Sequence, residues 1–226
     1  STTFTRACGR ITTSWTPMLS RRKFISHCAL AIIALTATAS AQTLADRIQT
    51  GDRRAALELV AKGADVNQTQ ADGTTPLHWA VYRFDRELVQ TLLRKGARVN
   101  AVNRYGATPL SEAVRVANLD VTEMLLEAGA DTNLANEDGQ TPLMLAARTG
   151  NVALGMLLVQ RGADVNRRER FRSQSAVMWA AAQNQPAMVK LLVKHGADVN
   201  ARSKIKTSQR QVTAEPRAQA RPSGGL

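Results

Sequence analysis

Residues 72–100 read DGTTPLHWAVYRFDRELVQTLLRKGARVN. In Thr75-Pro76-Leu77 a hydroxyl side chain precedes a proline and an apolar run. A threonine there caps the free N–H groups of a helix, and proline fits the first turn, where its missing donor costs nothing. The spacing predicts a short helix ending near Arg83. A second helix begins around Asp85–Arg86 and carries Leu88, Val89, Leu92 and Leu93 as an i, i+1, i+4, i+5 apolar stripe. Lys95-Gly96 ends it, because glycine takes the left-handed conformation at no steric cost. Two helices this short cannot bury an apolar face by themselves, so the unit needs neighbours.

The chain supplies them. Gly63, Gly96, Gly129, Gly162 and Gly196 open five related pentapeptides, GADVN, GARVN, GADTN, GADVN and GADVN, at intervals of 33, 33, 33 and 34 residues. Locked to the same period are Thr75-Pro76-Leu77, Thr108-Pro109-Leu110, Thr141-Pro142-Leu143 and a degenerate Ser175-Ala176-Val177. Each follows a turn residue by two positions: Gly73, Gly106, Gly139 and Ser173. Self-similarity at a fixed period near 33 is the mark of a repeat array.

The two linked motifs resemble the ankyrin repeat family, whose unit runs D-G-x-T-P-L-H-x-A and ends L-L-x-x-G-A-D-V-N. The resemblance covers residues 44–202. It implies an all-α solenoid of stacked helix-turn-helix units with protruding loops. The units fall at about 44–70, 71–103, 104–136, 137–169 and 170–202. The first lacks T-P-L but keeps Gly51-Asp52, Ala56-Leu57, Leu59-Val60 and GADVN, and reads as a cap.

Composition suits this fold. Apolar residues make up 44% of the 226 and aromatic residues 4%, so the core must be built from Leu, Val, Ala and Met. The formal charge of +12 divides unevenly along the chain. Residues 1–41 carry five Lys/Arg and no acid, and residues 203–226 carry five with Glu215 alone opposing them. The stretch 42–202 holds 20 bases and 17 acids, so the repeats are nearly balanced. A nucleic-acid surface wants a basic stripe on the folded domain itself, and none is expected here.

The N-terminus reads as an address. Arg21, Arg22 and Lys23 precede an apolar segment from Cys28 to Ala39, and Ala39-Ser40-Ala41 is a small-x-small cleavage site. That segment is shorter than the ~20 residues a membrane span needs. A cleaved signal peptide within residues 1–41 is expected, with Met18 as the natural start and no stable membrane span after cleavage. Ser20-Arg21-Arg22-Lys23-Phe24-Ile25 resembles the twin-arginine export motif; Ser26 stands where a basic residue is usual, so general secretory export is the alternative. Cys8 and Cys28 both precede the cut, which leaves a mature chain without thiol chemistry. Residues 203–226 are polar and aperiodic and read as a flexible tail or an insert between repeats. Gly224-Gly225-Leu226 resembles the entry to another unit, so a longer array is expected.

Catalytic and metal chemistry find no constellation. His78 sits beside Trp79, but the same slot holds Ser111, Met144 and Met178 in the other units, and a group that Ser and Met replace is not a shared base or ligand. The resemblance gives this histidine a packing and hydrogen-bonding role. From Asp65 a calcium loop would need an acid and a glycine where Thr69 and Gln70 stand, and a glutamate where Pro76 stands. Zinc would need clustered His or Cys. Neither a phosphate-binding glycine loop nor a G-x-S-x-G elbow is present. The expectation is a non-enzymatic protein with no cofactor and no metal.

A partner, on the resemblance, contacts the loop tips and the concave face formed by the first helices. By position the tip column is Asp72, Tyr105, Asp138 and Arg172, beside Ala71, Arg104, Glu137 and Phe171. The helix column is Tyr82, Arg115, Arg148 and Ala182, flanked by Arg83 and its counterparts. Aromatic and arginine side chains are the types enriched at binding hot spots. The candidates are therefore Tyr82, Arg83, Arg104, Tyr105, Arg115, Arg148, Arg167, Arg168, Arg170, Phe171 and Arg172. Residues 167–172, RRERFR, coincide with the 34-residue interval and mark an enlarged loop. A monomeric scaffold for an unidentified protein partner is expected. The alternatives are an accessory subunit of a periplasmic enzyme, or a binder of an anionic ligand or surface through residues 167–172.

Overall fold

The computed structural model describes residues 42–204. The leader expected at 1–41 and most of the tail, 205–226, lie outside the described residues. Among the described residues ten helices follow in five pairs: α1 (Leu44–Thr50) with α2 (Arg53–Ala61), α3 (Pro76–Tyr82) with α4 (Arg86–Arg94), and α5 (Pro109–Arg115) with α6 (Leu119–Glu127). Then come α7 (Pro142–Thr149) with α8 (Val152–Gln160) and α9 (Ala176–Ala182) with α10 (Pro186–Lys194). No strand occurs among the described residues. Odd-numbered helices stack on one another as an inner layer, and even-numbered ones as an outer layer. The expected all-α solenoid is what the chain builds.

Most of the helices start at a side-chain cap; α9 and α10, entered at Ser175 and Gln185, have none. Thr75, Thr108 and Thr141 accept from the backbone N–H three residues on, with proline at the first helical position. Asp85, Asn118 and Asn151 cap the outer helices in the same way. The five glycines that end the outer helices, Gly63 through Gly196, all lie at φ between 81° and 87°, the region an L side chain avoids. The first unit is more regular than its sequence suggests. Thr43 and Asp46 form a full capping box at α1, with Thr43 N–H to Asp46 Oδ2 at 2.9 Å and Asp46 N–H to Thr43 Oγ1 at 3.2 Å. Thr43 thus takes the place of the threonine missing from the T-P-L motif.

The core forms columns one repeat apart. Leu92, Leu125, Leu158 and Leu192 are fully buried, and so are Ala80, Ala113, Ala146 and Ala180 on the inner helices. Leucines fill the space between layers, while alanines let neighbouring inner helices approach. Burying one leucine contributes roughly 1.5–3 kcal/mol. The columns supply this in every unit, so each pair is held chiefly by its neighbours.

The pentapeptides join unit to unit. Asn67, Asn100, Asn133 and Asn166 each donate from Nδ2 to the carbonyl of the next unit's glycine, at 3.0 to 3.2 Å. Each also accepts on Oδ1 from the backbone N–H two residues further on, at 2.8 to 2.9 Å. The Asp of the motif accepts from the Asn backbone N–H, as Asp131 does from Asn133 at 2.8 Å. Where Arg98 replaces that Asp, its guanidinium donates to the Asn67 carbonyl instead, at 3.2 Å.

Candidate interaction surface

The inner helices bring one column of side chains to a groove beneath the loop tips. In its first half, Tyr82 at the end of α3 is 48% exposed. It meets Trp79 edge-on with ring centroids 5.9 Å apart. From the next unit, the Arg115 guanidinium lies 6.0 Å from the Tyr82 centroid. Arg115 is neutralised on its own helix by Glu112, Nε to Oε2 at 2.9 Å. Trp79 is fixed from the other side: its indole N–H donates to Gln70 Oε1 at 2.7 Å, while Gln70 Nε2 donates to Asp46 Oδ1 at 2.8 Å. Tyr105, 70% exposed at its tip, completes the rim of a cleft it shares with Asp72, Trp79, Tyr82, Glu112 and Arg115.

The second half repeats the theme with different balance. Arg148 occupies the Arg115 position on α7, with its guanidinium 5.7 Å from the Trp179 ring centroid. Together with Arg172, Gln174, Ala182 and Gln183 these two residues line a second cleft. It adjoins a third, bounded by Asp138, Glu169, Phe171 and Arg172. Arg172 stacks at 5.8 Å over the neighbouring Phe171 ring.

Residues 167–172 are not one cationic patch. Arg168 donates to the Arg202 carbonyl at 3.3 Å, and Arg170 to the Glu137 carbonyl at 3.1 Å. Both therefore brace neighbouring loops, while Arg172 faces the groove cleft and Arg167 is exposed. Glu169, 5% exposed, organises the loop. Its carboxylate accepts from the backbone N–H groups of Phe171 at 2.5 Å, Arg172 at 2.7 Å and Gln174 at 3.0 Å. Burial opposes its ionisation. The amides of Gln174, Arg172 and Phe171, with the Arg172 charge, outweigh burial and hold its pKa below the ordinary value.

The loop register differs from the sequence alignment at one position. Arg104 N–H donates to the Asp72 carbonyl, and Arg170 N–H donates to the Asp138 carbonyl, both at 2.7 Å. Arg170, not Phe171, thus continues the Ala71–Arg104–Glu137 column. Phe171 is the inserted residue, 60% exposed. Ser173 takes the tip-glycine place at φ 54°. Arg83 also departs from expectation. Its Nε donates to the Ile48 carbonyl at 3.4 Å, and it lines a separate cleft with Gly51 and Asp85. It belongs to the seam with the first unit, outside the groove. Arg104 stays near the rim, exposed, with its guanidinium 3.4 Å from the Ala71 carbonyl.

His78 is fully engaged within the fold. Thr75 donates to its Nδ1 from the backbone N–H at 3.2 Å, and the Thr75 hydroxyl lies 2.8 Å from the same nitrogen. Nε2 faces the Ala107 carbonyl of the next unit at 3.0 Å. Since a carbonyl only accepts, Nε2 carries the proton and Nδ1 accepts. Burial pushes the His78 pKa below the ordinary 6.5; the Ala107 carbonyl and the charges of Glu112 and Asp72 oppose this only in part. Among the described residues, no three His, Cys, Asp or Glu side chains gather as a metal site. No described helix is long and apolar enough to cross a membrane.

A comparison with curated proteins found no match. The family model described as ankyrin repeats (3 copies) matches residues 44–136 and again 129–203. These spans include all five helix pairs, the capped Thr-Pro-Leu turns and the asparagine staples. The chain belongs to the ankyrin repeat family.

Proposed function

We propose that this chain is an exported, non-enzymatic scaffold that captures a protein partner in the groove lined by Tyr82, Tyr105, Arg115, Arg148, Trp179 and Arg172. Ankyrin repeats generally mediate protein–protein interaction. The observation that carries the reading for this chain is the run of half-exposed aromatic rings and stacked guanidiniums along one face, Tyr82 with Arg115 and Trp179 with Arg148. Such side chains offer large rigid contact area at small entropic cost. Export rests on the basic, apolar and Ala-Ser-Ala segments of residues 18–41.

The test is affinity capture from a periplasmic extract with the wild type, Tyr82→Ala and Tyr105→Ala. A partner recovered by the wild type should fall about tenfold or more with each variant, the loss expected of hot-spot residues. Equal recovery by all three would sink the groove assignment. In the same cells, Arg21→Lys/Arg22→Lys should leave uncleaved precursor in the cytoplasm. Normal processing of that variant would assign export to the general secretory route.

A further inference from the structure

The two halves of the groove differ in charge, and the repeat supplies the comparison. Arg115 and Arg148 hold the same slot on successive inner helices, and each stacks on an aromatic ring. Three residues before Arg115 stands Glu112, which pairs with it; three residues before Arg148 stands Leu145, which cannot. Arg172 is likewise the single cation in a tip column otherwise filled by Asp72, Tyr105 and Asp138. No carboxylate among the described residues lies within 4.0 Å of the Arg148 or Arg172 guanidinium, whereas Arg53, Arg86 and Arg115 all have such partners. The acids lining the adjoining cleft are Asp138 and Glu169; the Glu169 oxygens accept from three backbone amides and meet the Arg172 charge from beyond 4.0 Å.

Trp179, between the two arginines, differs from its repeat counterpart too. Trp79 is tied by its indole N–H to Gln70, the last residue of the preceding unit, but Glu169 stands in that place before the fifth unit and is occupied elsewhere. The Trp179 indole N–H is buried with no hydrogen-bond partner. A buried donor left unpaired is an exception in folded proteins. The ring is therefore held by packing and by the Arg148 stack, with no hydrogen bond to fix it.

We infer that the Arg148–Trp179–Arg172 cleft is a carboxylate anchor, which receives an Asp or Glu side chain from an acidic segment of the protein partner. The inference rests on the scaffold reading and narrows it to one chemistry at one end of the groove. Guanidinium groups bind carboxylates through charge-assisted hydrogen bonds, and the stacked rings keep each guanidinium edge available for them.

The test uses a fluorescein-labelled peptide that alternates glutamate with serine, its glutamine counterpart, and the purified mature chain at low ionic strength. The acidic peptide should bind and shift the tryptophan emission; the glutamine peptide should not bind. Arg148→Gln and Arg172→Gln should each weaken binding about fivefold to tenfold, the worth of one charge-assisted contact on a partly screened surface. Arg161→Gln removes an exposed charge at the end of α8, away from the groove, and should stay within about twofold, the screened long-range share. Circular dichroism of each variant guards against misfolding. Equal binding of both peptides, or an equal loss in Arg161→Gln, would overturn the anchor. So would tighter, Arg148-dependent binding of a single-stranded oligonucleotide. If the acidic peptide fails while capture still depends on Tyr82 and Tyr105, the anchor falls and the scaffold stands.

Discussion

His78 shows how a polar side chain can be functional in sequence dress and structural in fact. Buried at 3% exposure, it closes the capping box of α3 with one ring nitrogen and reaches the Ala107 carbonyl of the next unit with the other. The first job needs the neutral ring, since a protonated Nδ1 cannot accept, whereas Nε2 donates to the carbonyl in either form. Because the folded pKa lies below the unfolded 6.5, this contribution is complete above about pH 6.5 and fades as pH falls below it. Urea midpoints should therefore drop between pH 7.5 and 5.5 for the wild type. His78→Gln should start about 1–2 kcal/mol lower at pH 7.5, from lost buried hydrogen bonds, and change less over the same interval. A steeper pH dependence in the variant would refute this account. The carboxylates with lowered pKa values, Asp46, Asp72 and Glu169, act in a separate window, since their stabilisation is lost only as pH falls below the ordinary carboxylate range. The structural role of His78 was legible before any coordinates, since Ser111, Met144 and Met178 share its slot. Its reach to Ala107 was not, because sequence spacing says nothing of contacts across a seam.

At the scale of elements, the seam between units is the unit of design. Four asparagines make the same pair of bonds across four successive seams, and Asn200 makes no such bond among the described residues. This gives an internal control. Asn133→Ala should cost about 2 kcal/mol in urea unfolding, two hydrogen bonds at roughly 1 kcal/mol each. Asn200→Ala should leave stability within about 0.5 kcal/mol, the range of exposed substitutions. Equal effects would mean that the amide acts within its own turn rather than across the seam. Helix boundaries were legible because Thr-Pro and Lys-Gly punctuation is local chemistry. The groove column of Tyr82, Arg115 and Arg148 was legible too, because period fixes face. Three assignments were not. Arg83 turns into the first seam because Ile48 offers a carbonyl there. Phe171 stands outside its expected column because an insertion of one residue can be placed on either side of Arg170 by sequence alone. The weight Glu169 carries was hidden as well, although the 34-residue interval marked its loop.

Across the described units, stability is a sum over neighbours, and the first and fifth pairs are unequal. The first described unit has a complete capping box, and Gln70 links its Asp46 to Trp79 of the second unit. The fifth unit leaves Val193 44% and Val199 64% exposed, where the internal counterparts Leu126 and Thr132 are 8% and 5% exposed. Hydrogen exchange should then be fastest in α9 and α10 and slowest in α5 and α6. Uniform protection across all five pairs would contradict nearest-neighbour coupling. The chain beyond still follows the track of the fold, for Lys204 N–H donates to the Arg172 carbonyl at 2.7 Å, as Arg104 does to Asp72 and Arg170 to Asp138. That rung lies past the inserted Phe171, yet it falls where the earlier rungs predict. The Glu169 side chain, longer than Asn103 and Asn136 in the same column, gathers the extra amide and lets the surplus residue bulge outward. The pitch of the solenoid is thereby uncoupled from the residue count of its loops: chain length can vary at a tip without displacing the helices behind it.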